Sequence, residues 1–268
     1  MKTLSYVLTF LLAFLMLISC DLSDETSINP GTLQVLLTDA PGDYEEVWID
    51  IQEVRVNRSS DAEDGDSGWI TINTQPIMVD LLELTNGRFE VLGEADLEPG
   101  RYNQLRLILG DNNEVVVDGE SISLSTPSAQ QSGLKLNINA DVEAGQNYVL
   151  LLDFDASRSI VQAGQSGNYN LKPVIRTVNL GLAGAIGGTI EPEDAQPWVY
   201  AIQNADTAEP DTIAGTRASD TGEFLLIGLL EGSYQVSVNP VEDDQSRTVI
   251  SNVQVTPPDT TFLEPVIL

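Results

Sequence analysis

Three sets of acidic residues have the spacing to do chemistry. Asp153 and Asp155 flank Phe154 at the period of a β-strand, so both carboxylates leave one face and the ring leaves the other. Two like carboxylates held together share a proton or take a hard cation, calcium being the one such oxygens suit. The same pair also reads as a strand end, with Asp155 capping a following helix and Asp153 paired with Arg106 or Lys172. Asp39, within Thr38-Asp39-Ala40-Pro41, is a further candidate for a cation or ligand site. It reads equally as an Asx-turn closing a strand. Asp61, Glu63, Asp64 and Asp66 crowd a loop rich in Ser and Gly. They miss the alternate-position pattern of an EF-hand loop and read as a solvated, mobile segment. Arg106 and Lys135 each lie between apolar residues. Strand alternation sends them to a solvated face; beneath a second layer they would instead hold an anionic ligand.

What is missing narrows the choice. The chain has no histidine and one cysteine. Ser-His-Asp and Cys-His nucleophilic sites are therefore excluded, as are zinc sites of the usual Cys/His kind. The expectation is a protein that is not an enzyme and needs no cofactor. A net charge of -29, from 41 acidic against 12 basic residues, repels nucleic acid and removes it as a partner. The acids are spread along the whole chain, as a solubilising skin suited to a salty habitat would be.

The cysteine has a chemistry of its own. Lys2 supplies a positive start, and an apolar run from Leu4 to Ile18 follows. That is the length of a secretory signal and too short to span a bilayer comfortably. It ends in Leu17-Ile18-Ser19-Cys20, which resembles the bacterial lipobox. The resemblance implies removal of residues 1–19, a diacylglyceryl group on the Cys20 thiol and an acylated new amine. One chain, at about 0.8 kcal/mol per buried methylene, holds weakly, whereas several anchor stably. The protein is thus expected to be exported, with the membrane as a partner through its lipid. Its expected place is the outer membrane, facing either the periplasm or the surface. Residues 20–30 read as an acidic tether, with Asp21-Leu22-Ser23-Asp24-Glu25-Thr26-Ser27 at its start. Such a stretch directs lipoproteins to the surface in some Gram-negative groups, and an Asp after the Cys retains them at the inner membrane in others.

Strands must position the remaining groups. Val47, Ile49 and Ile51 alternate with Trp48 and Asp50, and the apolar phase then slips to Val54 and Val56. The slip predicts a β-bulge near Gln52-Glu53, because an uncorrected shift would turn the apolar set outward. Leu105, Leu107 and Leu109 alternate, as do Leu134, Leu136 and Ile138. The continuous runs Val115 to Val117 and Tyr148 to Leu152 predict central strands. Turn signals at Pro41-Gly42-Asp43, Asn86-Gly87, Pro99-Gly100, Gly110-Asp111-Asn112 and Asp118-Gly119 separate them. A short helix is predicted from Ala156 to Gln162, with Asp155 as its N-cap. Gly181, Gly184, Gly187 and Gly188 mark a junction. The expected fold is all-β, with two tandem β-sandwich domains over 31–180 and 181–268.

Two resemblances accompany this reading. Gly31-Thr32-Leu33-Gln34-Val35-Leu36-Leu37-Thr38-Asp39-Ala40-Pro41 opens a series continued by Val54-Arg55-Val56, Trp69-Ile70, Val79-Asp80-Leu81-Leu82 and Gly100-Arg101-Tyr102. Leu105-Arg106-Leu107, Leu134-Lys135-Leu136, Leu152-Asp153-Phe154-Asp155-Ala156, Ser159-Ile160-Val161 and Leu171-Lys172-Pro173-Val174-Ile175-Arg176 follow in order. Together they resemble a family of bacterial and archaeal envelope lipoprotein domains of unknown function. Asp220-Thr221-Gly222-Glu223-Phe224-Leu225-Leu226-Ile227-Gly228-Leu229 and Gly232-Ser233-Tyr234-Gln235-Val236-Ser237-Val238 resemble the carboxypeptidase regulatory-like module, a transthyretin-like, Ig-like sandwich. The residues agree: Asp-Thr-Gly reads as a hairpin turn, and Tyr234, Val236 and Val238 share one face. Thr207, Thr212 and Thr260, each after an Asp, resemble the short O-glycosylation acceptor of one Gram-negative group. Two of them are expected in a loop.

The leading expectation is a non-catalytic envelope lipoprotein with a binding or adhesion role. The first domain would offer a protein or glycan ligand its loops, and the second would be a spacer. Trp48, Trp69 and Trp198 form no clustered sugar-stacking motif. One alternative is an accessory subunit of an outer-membrane uptake, secretion or fibre assembly. In it Pro265-Val266-Ile267-Leu268 would be a donor strand, though that segment reads more simply as the last strand of its own sandwich. The other alternative is a carboxylate-based hydrolase using Asp153 and Asp155.

Overall fold

The computed structural model describes residues 29–268, apart from 41, 64, 66, 74, 127–132, 165–166, 208–209 and 242–245. Cys20, the start of the tether, Pro41, Asp64 and Asp66 lie outside the described residues. The fold is all-β. Its N-terminal part is built from β1 (Gly31–Ala40), β2 (Glu46–Asn57), β3 (Ile70–Thr71), β4 (Ile77–Asp80), β5 (Glu90–Leu97), β6 (Gly100–Leu109) and β7 (Glu114–Val117). It continues with β8 (Glu120–Ser125), β9 (Leu134–Val142), β10 (Asn147–Asp155), the single helical turn α1 (Ala156–Ser159), β11 (Ile160–Gln162), β12 (Tyr169–Leu171) and β13 (Ile175–Asn179).

These strands form a sandwich. One sheet has the order β13-β10-β1-β5, and the other has nine strands in the order β11-β12-β8-β7-β2-β6-β9, with β3 and β4 pairing to β2. Alternation explains the core between them. Leu33, Val35 and Leu37 of β1 and Leu150, Leu152 and Phe154 of β10 are buried against Val47, Ile49, Ile51, Leu105 and Leu107. Each such side chain contributes roughly 1.5–3 kcal/mol when fully buried. The predicted bulge is present: Ile51 faces Leu109 and Glu53 faces Ile108, so Gln52 is the extra residue. The bulge returns Val54 and Val56 to the core, where both are fully buried.

The C-terminal part consists of β14 (Ala183–Glu191), β15 (Trp198–Gln203), β16 (Asp211–Arg217), β17 (Glu223–Leu230), β18 (Gly232–Asn239), β19 (Thr248–Val255), β20 (Thr260–Phe262) and β21 (Val266–Ile267). Its sheets have the orders β17-β14-β20 and β16-β15-β18-β19. Ile186, Ile190, Val199, Phe224, Leu226, Tyr234, Val236 and Val238 fill the space between them. β20 and then β21 run parallel to β14, and the Val266 side chain is buried. Residues 265–268 thus close their own sheet.

Several local expectations change. α1 stops at Ser159 instead of Gln162. Ile160 and Val161 are β-branched, and Ile160 is buried in the core cluster, so the chain returns to a strand paired with β12. The Asp220-Thr221-Gly222 turn does have Gly222 at φ +74°. It does not close a two-stranded hairpin, however, because β16 and β17 belong to different sheets. Asp39 makes no Asx-turn: it lies within β1, and its carboxylate accepts from the Ala156 N–H, 117 positions away, at 3.0 Å.

The outer face of the nine-stranded sheet differs most from expectation. Arg55, Arg106 and Lys135 are direct cross-strand neighbours on β2, β6 and β9. Arg106 is not solvated; it is fully buried. The segment between β2 and β3 crosses over it. Ala62 O accepts from Arg106 at 2.9 Å, and the Trp69 ring lies 5.0 Å from the guanidinium of Arg106 and 5.0 Å from that of Arg55. Glu63 binds Lys135 at 2.9 Å and lies 3.8 Å from Arg106. The anion over this basic row is therefore the protein's own Glu63, and Ala62, Glu63 and Trp69 form a strap held to the sheet.

Candidate binding cleft at the sandwich junction

The second face of β1 and β10 carries the next layer. Residues that alternate out of the first core, Leu36 and Leu151, pack with Val178 of β13 and Ala183, and with Ile227 of β17. The β13-β10-β1-β5 sheet is thus covered on both sides. Two polar clamps hold the junction. Arg176 donates from Nη1 to Gly228 O at 2.7 Å. Asn86, in the Asn86-Gly87 turn at φ +57°, donates from its backbone N–H to Thr216 Oγ1 at 2.8 Å and from Nδ2 to Glu223 O at 3.1 Å, and it accepts the Leu225 N–H at 2.6 Å.

At one end of this junction lies a cleft of about 190 Å³. One wall comes from the end of β10 and from α1, and supplies Asp153, Asp155, Ser157 and Arg158. The other comes from β15 and β16, and supplies Tyr200, Thr212 and the small residues Ala214 and Gly215. The register explains each placement. Asp153 lies directly opposite Arg176 on β13, and its Oδ2 accepts from Nη2 at 2.6 Å and from Nε at 3.1 Å. Asp153 is therefore paired with Arg176, not with Arg106 or Lys172. Asp155 caps α1 by accepting from Arg158 N–H at 2.9 Å, and it also binds the Arg158 side chain and the Ser157 hydroxyl. Tyr200 faces Gly215 across the β15–β16 pair. A Cβ on Gly215 would sit 3.0 Å from the tyrosine ring, so the ring lies over bare backbone.

The electrostatics follow from burial. Desolvation pushes the Asp153 carboxyl upward, and the Arg176 guanidinium opposes this only in part. Tyr200 is raised by burial first and then by the nearby Asp155 and Asp43. Asp39 is raised well above 3.8 by burial, against the Ala156 hydrogen bond, with Asp153 and Asp155 adding to the rise. Its Oδ2 is buried with no hydrogen-bond partner. A carboxyl raised in the fold loses stability as pH climbs from its unfolded value through its folded one, and below both it loses none. Asp39→Asn keeps an oxygen for Ala156 and removes the charge. The variant should gain on the wild type between about pH 4 and pH 7, by an amount that grows with pH. Urea denaturation at both values checks this, and an advantage that does not change with pH would contradict it.

The three carboxylates leave their strands on two different faces. Asp153 and Asp155 share a face with Thr38 and turn to the second sandwich, whereas Asp39 shares its phase with the core residue Leu37. Among the described residues no group of three or more His, Cys, Asp or Glu side chains is placed to hold a metal ion. Thr212 lines the cleft from β16 and so lies in a strand, not a loop. Thr207 sits in a turn, with its hydroxyl bonded to Asn204 O at 2.8 Å, and Thr260 is in β20. Arg176, Tyr200 and Asn86 were not recognised in the sequence as site residues. Asn86-Gly87 showed its turn but not its clamp.

A family model described as Domain of unknown function (DUF4382) matches residues 30–173, more than half of the chain. The chain belongs to the DUF4382 family. The DUF4382 match begins just before β1 and ends just before β13. It therefore includes Asp39, Asp153 and Asp155, but not Arg176 or the second wall of the cleft. No curated protein matches the DUF4382 chain. Among solved structures it is similar to the minor pilin GBS52 of Streptococcus agalactiae, at 12% identity over 87% of this chain and 95% of that one, with a TM-score of 0.24. It is similar to the major pilin subunit BcpA of Bacillus cereus, at 10% identity over 89% and 69%, with a TM-score of 0.23. A leucine-rich repeat protein from Bacteroides thetaiotaomicron matches at 12% identity and a TM-score of 0.22; the match covers 90% of this chain and only 26% of that one. No helix of the described residues is long and apolar enough to cross a membrane.

Proposed function

We propose that this DUF4382 protein is a non-catalytic binding or adhesion protein of the cell envelope, exported and anchored through a lipid on Cys20. In this reading residues 31–180 and 181–268 are two domains. The second is transthyretin-like, and the ligand enters the cleft where the two meet. The observation that carries the proposal is what the carboxylates do. Asp153 holds Arg176, Asp155 caps α1 and holds Arg158, and Asp39 accepts from Ala156. Groups committed in this way shape a surface and leave no general acid and base facing each other across a reacting bond. Clefts at domain junctions are common binding sites.

The test uses cells producing the wild type, Cys20→Ser or Thr212→Trp, the last placing a large ring at an exposed strand position on the cleft wall. The wild type should fractionate with the outer membrane and promote attachment to plates coated with matrix protein or polysaccharide. Cys20→Ser should leave the membrane. Thr212→Trp should stay membrane-bound and lose attachment. Attachment that survives Thr212→Trp would remove the cleft from the account, and membrane retention of Cys20→Ser would remove the lipid.

A further inference from the structure

We infer that the junction cleft takes a neutral sugar residue, an assignment of ligand class that rests on the binding role proposed above. Size is the first constraint. About 190 Å³ is smaller than the roughly 300 Å³ at which drug-sized pockets begin, and it suits one small ring better than a folded peptide segment. Charge is the second. The chain carries -29 overall, yet this cleft sets two guanidinium groups against two carboxylates, Arg176 with Asp153 at 2.6 Å and Arg158 with Asp155 at 2.9 Å. An anionic ligand meets the field of the whole protein, and a cationic one meets two arginines. A neutral ligand meets neither penalty.

Hydrogen-bonding capacity is the third constraint. The pairs present fixed donors beside fixed acceptors; the Thr212 hydroxyl can serve as either, and the Ser157 hydroxyl, which donates to Asp155 at 2.7 Å, can accept. Adjacent hydroxyl groups on a ring need that alternation. Asp153 directs both Arg176 bonds to Oδ2, and among the described residues Oδ1 accepts none, so an acceptor remains on a side chain that is only 9% exposed. The apolar side of the site is the fourth constraint. The Tyr200 ring lies over Gly215, next to Ala214, and gives the C–H face of a sugar ring a flat surface.

The experiment is saturation-transfer NMR on the full chain in detergent, with glucose, galactose and mannose as neutral probes and glucuronate and glucosamine as charged ones. At least one neutral hexose should receive saturation, and neither charged sugar should do so more strongly. Tyr200→Ala should weaken binding about tenfold, and Thr212→Trp, at an exposed position, should abolish it at unchanged melting temperature. No transfer to any neutral hexose, or transfer that persists in Thr212→Trp, would overturn the inference. If no hexose binds and Thr212→Trp still abolishes attachment, the sugar assignment fails and the binding role stands. If a hexose binds and attachment is indifferent to Thr212→Trp, the cleft's part in attachment fails and the sugar site stands.

Discussion

Arg106→Ala is expected to destabilise the protein by about 3 kcal/mol. The side chain is fully buried beneath the strap, although it lies on the outer face of its sheet. Its removal takes a charged donor from Ala62 O, worth roughly 1.5–3 kcal/mol, and the support from under Trp69, worth about 0.5–2 kcal/mol. Glu63 loses one of its cations, a smaller matter because that carboxylate is largely exposed. Arg106→Lys keeps the charge but not the flat ring-stacking surface, and should fall between wild type and Ala. Chemical denaturation gives the values directly. A change below about 0.5 kcal/mol, the range of ordinary surface substitutions, would mean that the strap does not rest on Arg106.

Asn86→Ala is expected to cost a similar amount for a different reason. The substitution removes two hydrogen bonds across the junction, to Glu223 O and from Leu225 N–H, each worth about 1 kcal/mol. It also places a Cβ-bearing residue without a polar side chain at φ +57°, which adds roughly 1 kcal/mol. Asn86→Gly separates the two contributions. Glycine accepts the backbone geometry and loses only the bonds, so it should cost less than alanine. If the two variants melt together at the wild-type temperature, the clamp contributes nothing and the sandwiches are held by apolar contact alone.

Where the sequence could be read and where it could not follows from the range of the interactions. The strands with clean alternation or a continuous apolar run were legible in both sandwiches, because a period of two is local and survives in Leu105, Leu107 and Leu109 whatever they pack against; β5, β15 and β16, with weaker patterns, were not. The bulge at Gln52 was legible for the same reason. Asp155 as an N-cap spans only four consecutive residues and was also visible. Asp153 was visible as a candidate, but its partner was not. Arg176 becomes its neighbour only through the pairing of β10 with β13, and Arg106 and Lys172 were equally good partners by composition. Arg106 shows the opposite failure. Alternation correctly put it outside the first core, yet alternation carries no information about a strap arriving from another part of the chain. The cleft is less legible still, since its second wall begins at Tyr200, beyond the family match, and its register with α1 depends on Asn86 and Arg176.

The cleft exists only if the two sandwiches are held together, and amide hydrogen exchange at Leu225 tests that most directly. This N–H lies on the junction side of β17 and is bonded to the Asn86 side chain at 2.6 Å. In the wild type it should exchange as slowly as amides of the adjoining core strands, through global unfolding, and Asn86→Ala should release it. Exchange in the wild type at the rate of exposed turns would mean that the sandwiches part readily, and would contradict a preformed cleft between them.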